Sequence, residues 1–128
     1  MGWPMAAASS SKNANRMMQM VRLPSGQSLL DIFSANICGR DLGRGKPDPE
    51  IFLLAASELG FAPEQCVVVE DAPAGIAAAR AGGMAALGIA RLGDEALLQK
   101  AGADLVVTSL EDVALEGLAR GRLCRQQT

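Results

Sequence analysis

The sequence predicts an α/β fold, a three-layer sandwich built on a mostly parallel sheet. Two observations lead there. From residue 34 onward, short apolar runs alternate with segments of helical period, the order that βαβ units leave in a sequence. One of those runs, Cys66 to Glu70 (CVVVE), is continuous and β-branched, as in strands covered on both faces. The 128 residues suit one domain, 1–128, and the 49% hydrophobic content supports a packed core.

Taken in order, the elements each have a local cause. Residues 9 to 18 (SSSKNANRMM) put hydroxyls, a lysine and an amide ahead of a helical run. Leu23 to Gln27 (LPSGQ) reads as a loop, and Ser34 to Gly39 as a short strand. Asp48 to Leu59 reads as a helix with Asp48 as N-cap, Pro49 at its first position and Gly60 as its stop. After the CVVVE strand, Ala74 to Ala81 is a helix closed by Gly82-Gly83. Met84 to Ala90 is a strand, Asp94 to Ala101 a helix and Asp104 to Thr108 a further strand. Glu111 to Arg120 is predicted as the last helix, with 121–128 as a frayed, solvated tail. Much of the apolar content is alanine, which buries little area per residue, so a thin stability margin is expected.

Composition excludes several kinds of chemistry. There is no histidine, so no Ser-His-Asp triad, imidazole base or His-containing zinc site can form. A net charge of −2 without a basic block gives no case for nucleic acid. No run reaches the roughly 20 apolar residues that span a bilayer, so no membrane partner is expected. Cys38, Cys66 and Cys124 are odd in number and lack C-x-x-C spacing, which suits reduced thiols in a cytoplasmic protein.

Chemistry must then use carboxylates, lysine, hydroxyls or a hard metal ion. The sharpest candidate is VVVEDAPAGIAAARAGG, residues 67 to 83, where an apolar strand ends in Glu70 and Asp71 and a small-residue helix follows. Ligands of parallel α/β sheets bind at the carboxyl ends of strands. Two adjacent acids there repel unless a cation offsets them, and an all-oxygen set favours Mg²⁺. A plainer alternative is that one acid caps the helix and the other is solvated. A second candidate is GRGKPDPEIF, residues 43 to 52, where Lys46 stands just outside a helix start and suits an anion such as phosphate. The opening SSSKN is open to three readings: a solvated tail, a transit peptide or a phosphate cradle.

Lysine before a D-P helix start, then a strand ending in Glu-Asp, then A-G: this order resembles the haloacid dehalogenase superfamily. Lys46 matches its third motif and Glu70-Asp71 its fourth. ASSSKN ahead of a helix resembles the second motif of the β-phosphoglucomutase-like branch. The resemblance implies a Rossmannoid core that performs Mg²⁺-dependent phosphoryl transfer on a sugar phosphate or other small phosphate ester. It implies Ser9 and Lys46 on the phosphoryl group, Ser11, Lys12 and Asn13 on the substrate's other end, and Glu70 and Asp71 on the metal.

The departure from the family pattern concerns the nucleophile. None of the fourteen acids stands in the family's D-x-D motif, and the helical cap domain has no counterpart. The resemblance thus implies a core truncated at its N-terminus, inactive by itself, whose unpaired sheet edges lead to self-association. A non-catalytic remnant that binds phosphate or Mg²⁺ is the alternative. A receiver-like signalling module also combines acids, a hydroxyl and Lys-Pro, but in the reverse order.

Overall fold

The computed structural model describes residues 3–9, 13–38 and 45–126. Its strands form two parallel sheets. β1 (Ala6–Ala7) pairs with β2 (Ala35–Asn36), with Ala6 opposite Ala35. β3 (Val67–Glu70), β4 (Ala85–Ile89) and β5 (Leu105–Val107) form the second sheet in that order. Among the described residues no ladder joins β1 to β3.

Helices supply the crossovers and the outer layers. α1 (Ala14–Met20) lies between β1 and β2, α2 (Glu50–Leu59) between β2 and β3, and α3 (Pro73–Ala81) between β3 and β4. α4 (Glu95–Lys100) precedes β5, and α5 (Leu115–Ala119) follows it. Side chains alternate across a strand, so each sheet has two faces to cover. On one face, Ile51 and Phe52 of α2, Ile76 of α3 and Leu98 of α4 meet Ile37 and Val68 in one cluster. Ala6 and Ala8 pack on the same cluster, so both sheets share this core. On the other face, Ala14 and Met18 of α1 cover Ala7 and Cys38, while Val113 and Leu123 cover Leu87 and Val107. The result is a three-layer α/β sandwich with parallel strands, as the alternating pattern predicts.

Among the described residues the second face is covered at its two ends. Val67 and Val69 lie between those covers and remain 39% and 53% exposed. The β-branched run therefore forms a strand as predicted, but it is buried on one face only. Three smaller differences have local causes. α2 opens at Glu50 with Pro49 in the N-cap position, and the Asp48 carboxylate accepts from the Glu50 N–H at 3.0 Å. The single helix predicted over 111–120 is broken: a 3₁₀ turn, Leu110–Asp112, precedes α5. Between them Val113 is extended, because its side chain is buried against Leu87 and Val107. Finally, the segment predicted as a frayed tail folds back as far as it is described. Arg125 pairs antiparallel with Val113 and donates from Nη2 to the Val106 carbonyl.

Candidate phosphoryl-transfer site

Glu70 closes β3, held by the ladder opposite Gly88. Its side chain turns back over the first turn of α3, where only a residue without a side chain leaves room. A Cβ built on Gly75 would overlap the Glu70 Cγ, Cδ and Oε1. The carboxylate thus lies near a helix N-terminus, where negative charge is favoured. Lys46 Nζ donates to Glu70 Oε1 at 2.6 Å, and the Asp71 N–H donates to Oε2 at 3.2 Å. Lys46 is itself positioned by Phe52, whose ring centroid is 5.0 Å from Nζ. The Lys46–Pro47 peptide between the two sits in the cis form. With side chains 23% and 11% exposed, the Lys46–Glu70 pair is shielded from water and held on several sides.

Asp71 has a looser environment. Its Oδ2 is 3.5 Å from Arg91 Nη1, and the two side chains are 56% and 70% exposed. The two acids predicted to repel one another are each faced by a different side-chain cation. Neither caps the helix, since the N-cap position of α3 belongs to Ala72. A recess of about 300 Å³ opens beside them, lined by Val69, Glu70, Asp71, Ile89 and Arg91.

Of the other predicted residues, Ser9 lies two residues past β1 and is half-buried. A backbone hydrogen bond from Ser9 reaches the Cys38 thiol. It partly offsets the burial that pushes this thiol above its ordinary value. Asn13 occupies the N-cap position of α1 and is exposed. Ser11 and Lys12 lie outside the described residues. Behind this end of the sheet, Asn36 Nδ2 donates to Asn15 Oδ1. Asn15 Nδ2 in turn donates to the Cys38 carbonyl at 3.3 Å. The structure therefore brings Lys46 and Glu70 together, sets Asp71 beside them and places Ser9 at the end of its own strand.

Sequence reasoning missed Phe52 and Arg91, and it included Gly75 only within the A-G of the family pattern, with no role of its own. Gly75 had a signal, because a glycine in the first turn of a helix is costly unless something needs the space. Arg91, two residues past a strand end, had none beyond its position.

The donor set can be tested against a divalent cation. Among the described residues no three acidic, histidine or cysteine side chains converge, and the adjacent carboxylates at the end of β3 are those of Glu70 and Asp71. That fits Mg²⁺, which keeps several waters and takes one or two carboxylates together with a phosphate. It does not fit an ion that needs a full protein cage.

A parallel α/β core, with an acid pair closing one strand and a lysine reaching it from ahead of the preceding helix, defines the class: a domain of Rossmann-like build. Residues 1–83 match the haloacid dehalogenase-like hydrolase family, and the chain belongs to it. It is 41% identical over 109 residues to the β-phosphoglucomutase of Bacillus subtilis (strain 168), covering 85% of this chain and 43% of that protein. It is 44% identical over 72 residues to hexitol phosphatase A of Escherichia coli (strain K12), covering 56% and 32%. Among solved structures, an archaeal β-phosphoglucomutase from Pyrococcus sp. strain ST 04 superposes with a TM-score of 0.75 at 32% identity. That match covers 94% of this chain and 50% of that one. The chain thus spans less than half the length of these two curated relatives.

Proposed function

We propose that this chain supplies the phosphate- and metal-binding part of a Mg²⁺-dependent phosphoryl-transfer site acting on a sugar phosphate. The observation that carries this reading is the Lys46–Glu70 pair at 2.6 Å, with Asp71 next in sequence at the carboxyl end of a parallel strand. Relatives named as β-phosphoglucomutase and hexitol phosphatase give the substrate class. Lys46 holds positive charge where a phosphoryl oxygen would sit. Ser9, at the end of β1, would bind the phosphoryl group as well, and the roles that the family resemblance implies for Ser11, Lys12 and Asn13 are on the substrate's other end. When bound to Asp71 and Glu70, Mg²⁺ would offset the charge of the phosphoryl group. Gly75 and Phe52 keep Glu70 and Lys46 in place.

No acid here stands in D-x-D, and covalent transfer needs an attacking group that positioning and electrostatics do not replace. The chain by itself therefore binds without turning over, in a reducing, cytoplasmic setting that suits its three free cysteines. The open side of β3, with Val67 and Val69 exposed, supports self-association of the isolated chain. The test is an assay of phosphate release and of hexose phosphate isomerisation with and without Mg²⁺. The expected result is no turnover above buffer. Activity that survives repurification and disappears in Asp71→Ala would overturn it.

A further inference from the structure

The two acids at the end of β3 are paired unequally, and the inequality has a function. Glu70 is gripped: Lys46 at 2.6 Å on one oxygen, a backbone N–H on the other, Gly75 making room beneath. Asp71 is only approached, at 3.5 Å, by a guanidinium that is largely in water. Yet the root of that guanidinium is fixed. Ala90 is buried and its N–H bonds to the Val107 carbonyl at 2.8 Å, which ties the chain just before Arg91 to β5. Gly93, at φ +71°, then turns the chain away. Arg91 is therefore held at the rim of the same recess that Glu70 and Asp71 line, with a free end to swing.

We infer that Arg91 is a built-in counter-ion that occupies Asp71 until a divalent cation displaces it, and so sets the affinity of the site for that cation. The inference rests on the metal reading proposed above. Arg91 offsets part of the charge of Asp71 in the metal-free chain, which eases the repulsion between two adjacent acids at one strand end. An exposed pair of this kind is weak, so a doubly charged ion can replace it. The Lys46–Glu70 pair, shorter and less exposed, stays in place. Arg91 is a positioning residue in this account: it acts on the metal through Asp71.

The experiment is a calorimetric titration of the full chain with MgCl₂ at low ionic strength. It compares wild type, Arg91→Gln, Asp71→Asn and Arg80→Gln. Arg91→Gln should bind Mg²⁺ about two- to fivefold more tightly, the factor an exposed ion pair supplies when it no longer competes. That advantage should shrink as salt is added, because exposed charges are screened. Arg80 pairs with Asp104 at 3.0 Å, at the other end of α3, so Arg80→Gln removes the same charge away from the recess and should bind as wild type does. If Arg91→Gln binds no more tightly, or Arg80→Gln gains as much, the counter-ion role is wrong while the metal site stands. If neither wild type nor Arg91→Gln binds Mg²⁺, or if Asp71→Asn binds as wild type does, the metal reading falls with it. Arg91 is exposed enough that its replacement leaves the core intact, which circular dichroism of each variant verifies.

Discussion

Glu70 folds back into space that only Gly75 leaves open. The relationship predicts an unusual mutant. In Gly75→Ala the new methyl group must push Glu70 off α3 and away from Lys46. The stability cost should be small, within about 1 kcal/mol, because alanine favours a helix over glycine by about that amount and offsets the lost ion pair. The site should suffer far more than the fold. Urea denaturation should show near-normal stability, while the rise in melting temperature with Mg²⁺ should vanish. A Gly75→Ala chain with an undiminished Mg²⁺ response would show that Glu70 need not lie where it does.

Lys46 should matter to stability as well as to binding. Replacing it with methionine keeps the contact with Phe52 but leaves a poorly exposed carboxylate with one donor fewer. Hydrogen bonds to charged groups contribute roughly 1.5–3 kcal/mol, so a loss of about 2 kcal/mol is expected. Glu70→Gln combined with Lys46→Met should recover part of it, since no uncompensated charge remains. Equilibrium unfolding of the two single variants and the double variant measures the coupling. Strict additivity would mean that the two side chains do not stabilise one another.

At acid pH the turn at Leu29–Ile32 should loosen before the core does. Hydrogen bonds from the Ser28 backbone and side chain hold the Asp31 carboxyl below its ordinary value, with Arg22 adding a smaller pull. Because the folded value is the lower one, the contribution is present above the unfolded value. It is lost as pH falls through the folded value. Asp31→Asn should therefore lower stability at neutral pH and flatten the acid side of the profile, the two profiles converging as pH falls below about 4. Thermal melts taken from neutral to strongly acid buffer would test it. An Asp31→Asn profile parallel to wild type at low pH would rule the Ser28–Asp31 hydrogen bonds out as the source.

How much of this was readable beforehand depended on how local the cause was. The stop of α2 at Gly60, in the left-handed region at φ +80°, and the close of α3 follow from residues within one turn. The acid pair and Lys46 were legible because each stands at an element boundary that its neighbours mark. The break at Val113 was not, because the cause is distant in sequence: burial against Leu87 and Val107 outweighs helix propensity there. The fold-back of Arg125 onto Val106 was hidden for the same reason. Arg91 was missed because its partner lies across a strand register, and nothing in a single sequence gives a register away.

The last expectation concerns the outer edge of β3. The Ala85 N–H bonds to the Cys66 carbonyl, and Val67 stands opposite Ala85. In a parallel ladder this register turns the backbone groups of Val68 towards β4 and those of Val67 and Val69 away from it. Among the described residues no strand pairs with the N–H and C=O groups on this edge, which lie beside two exposed valines, and residues 66 to 69 carry no charge or proline to blunt it. Such an edge is a template for another strand. In dilute solution the amides of Val67 and Val69 should exchange quickly and that of Val68 slowly. As concentration rises, sedimentation should show dimers or larger species, and the two fast amides should slow in step. Val69→Lys, placed on the solvent side of the strand, should keep the chain monomeric without disturbing Val68, whose side chain faces the core. A chain that stays monomeric at every concentration, with Val67 and Val69 as protected as Val68, would show that β3 is already paired on both sides.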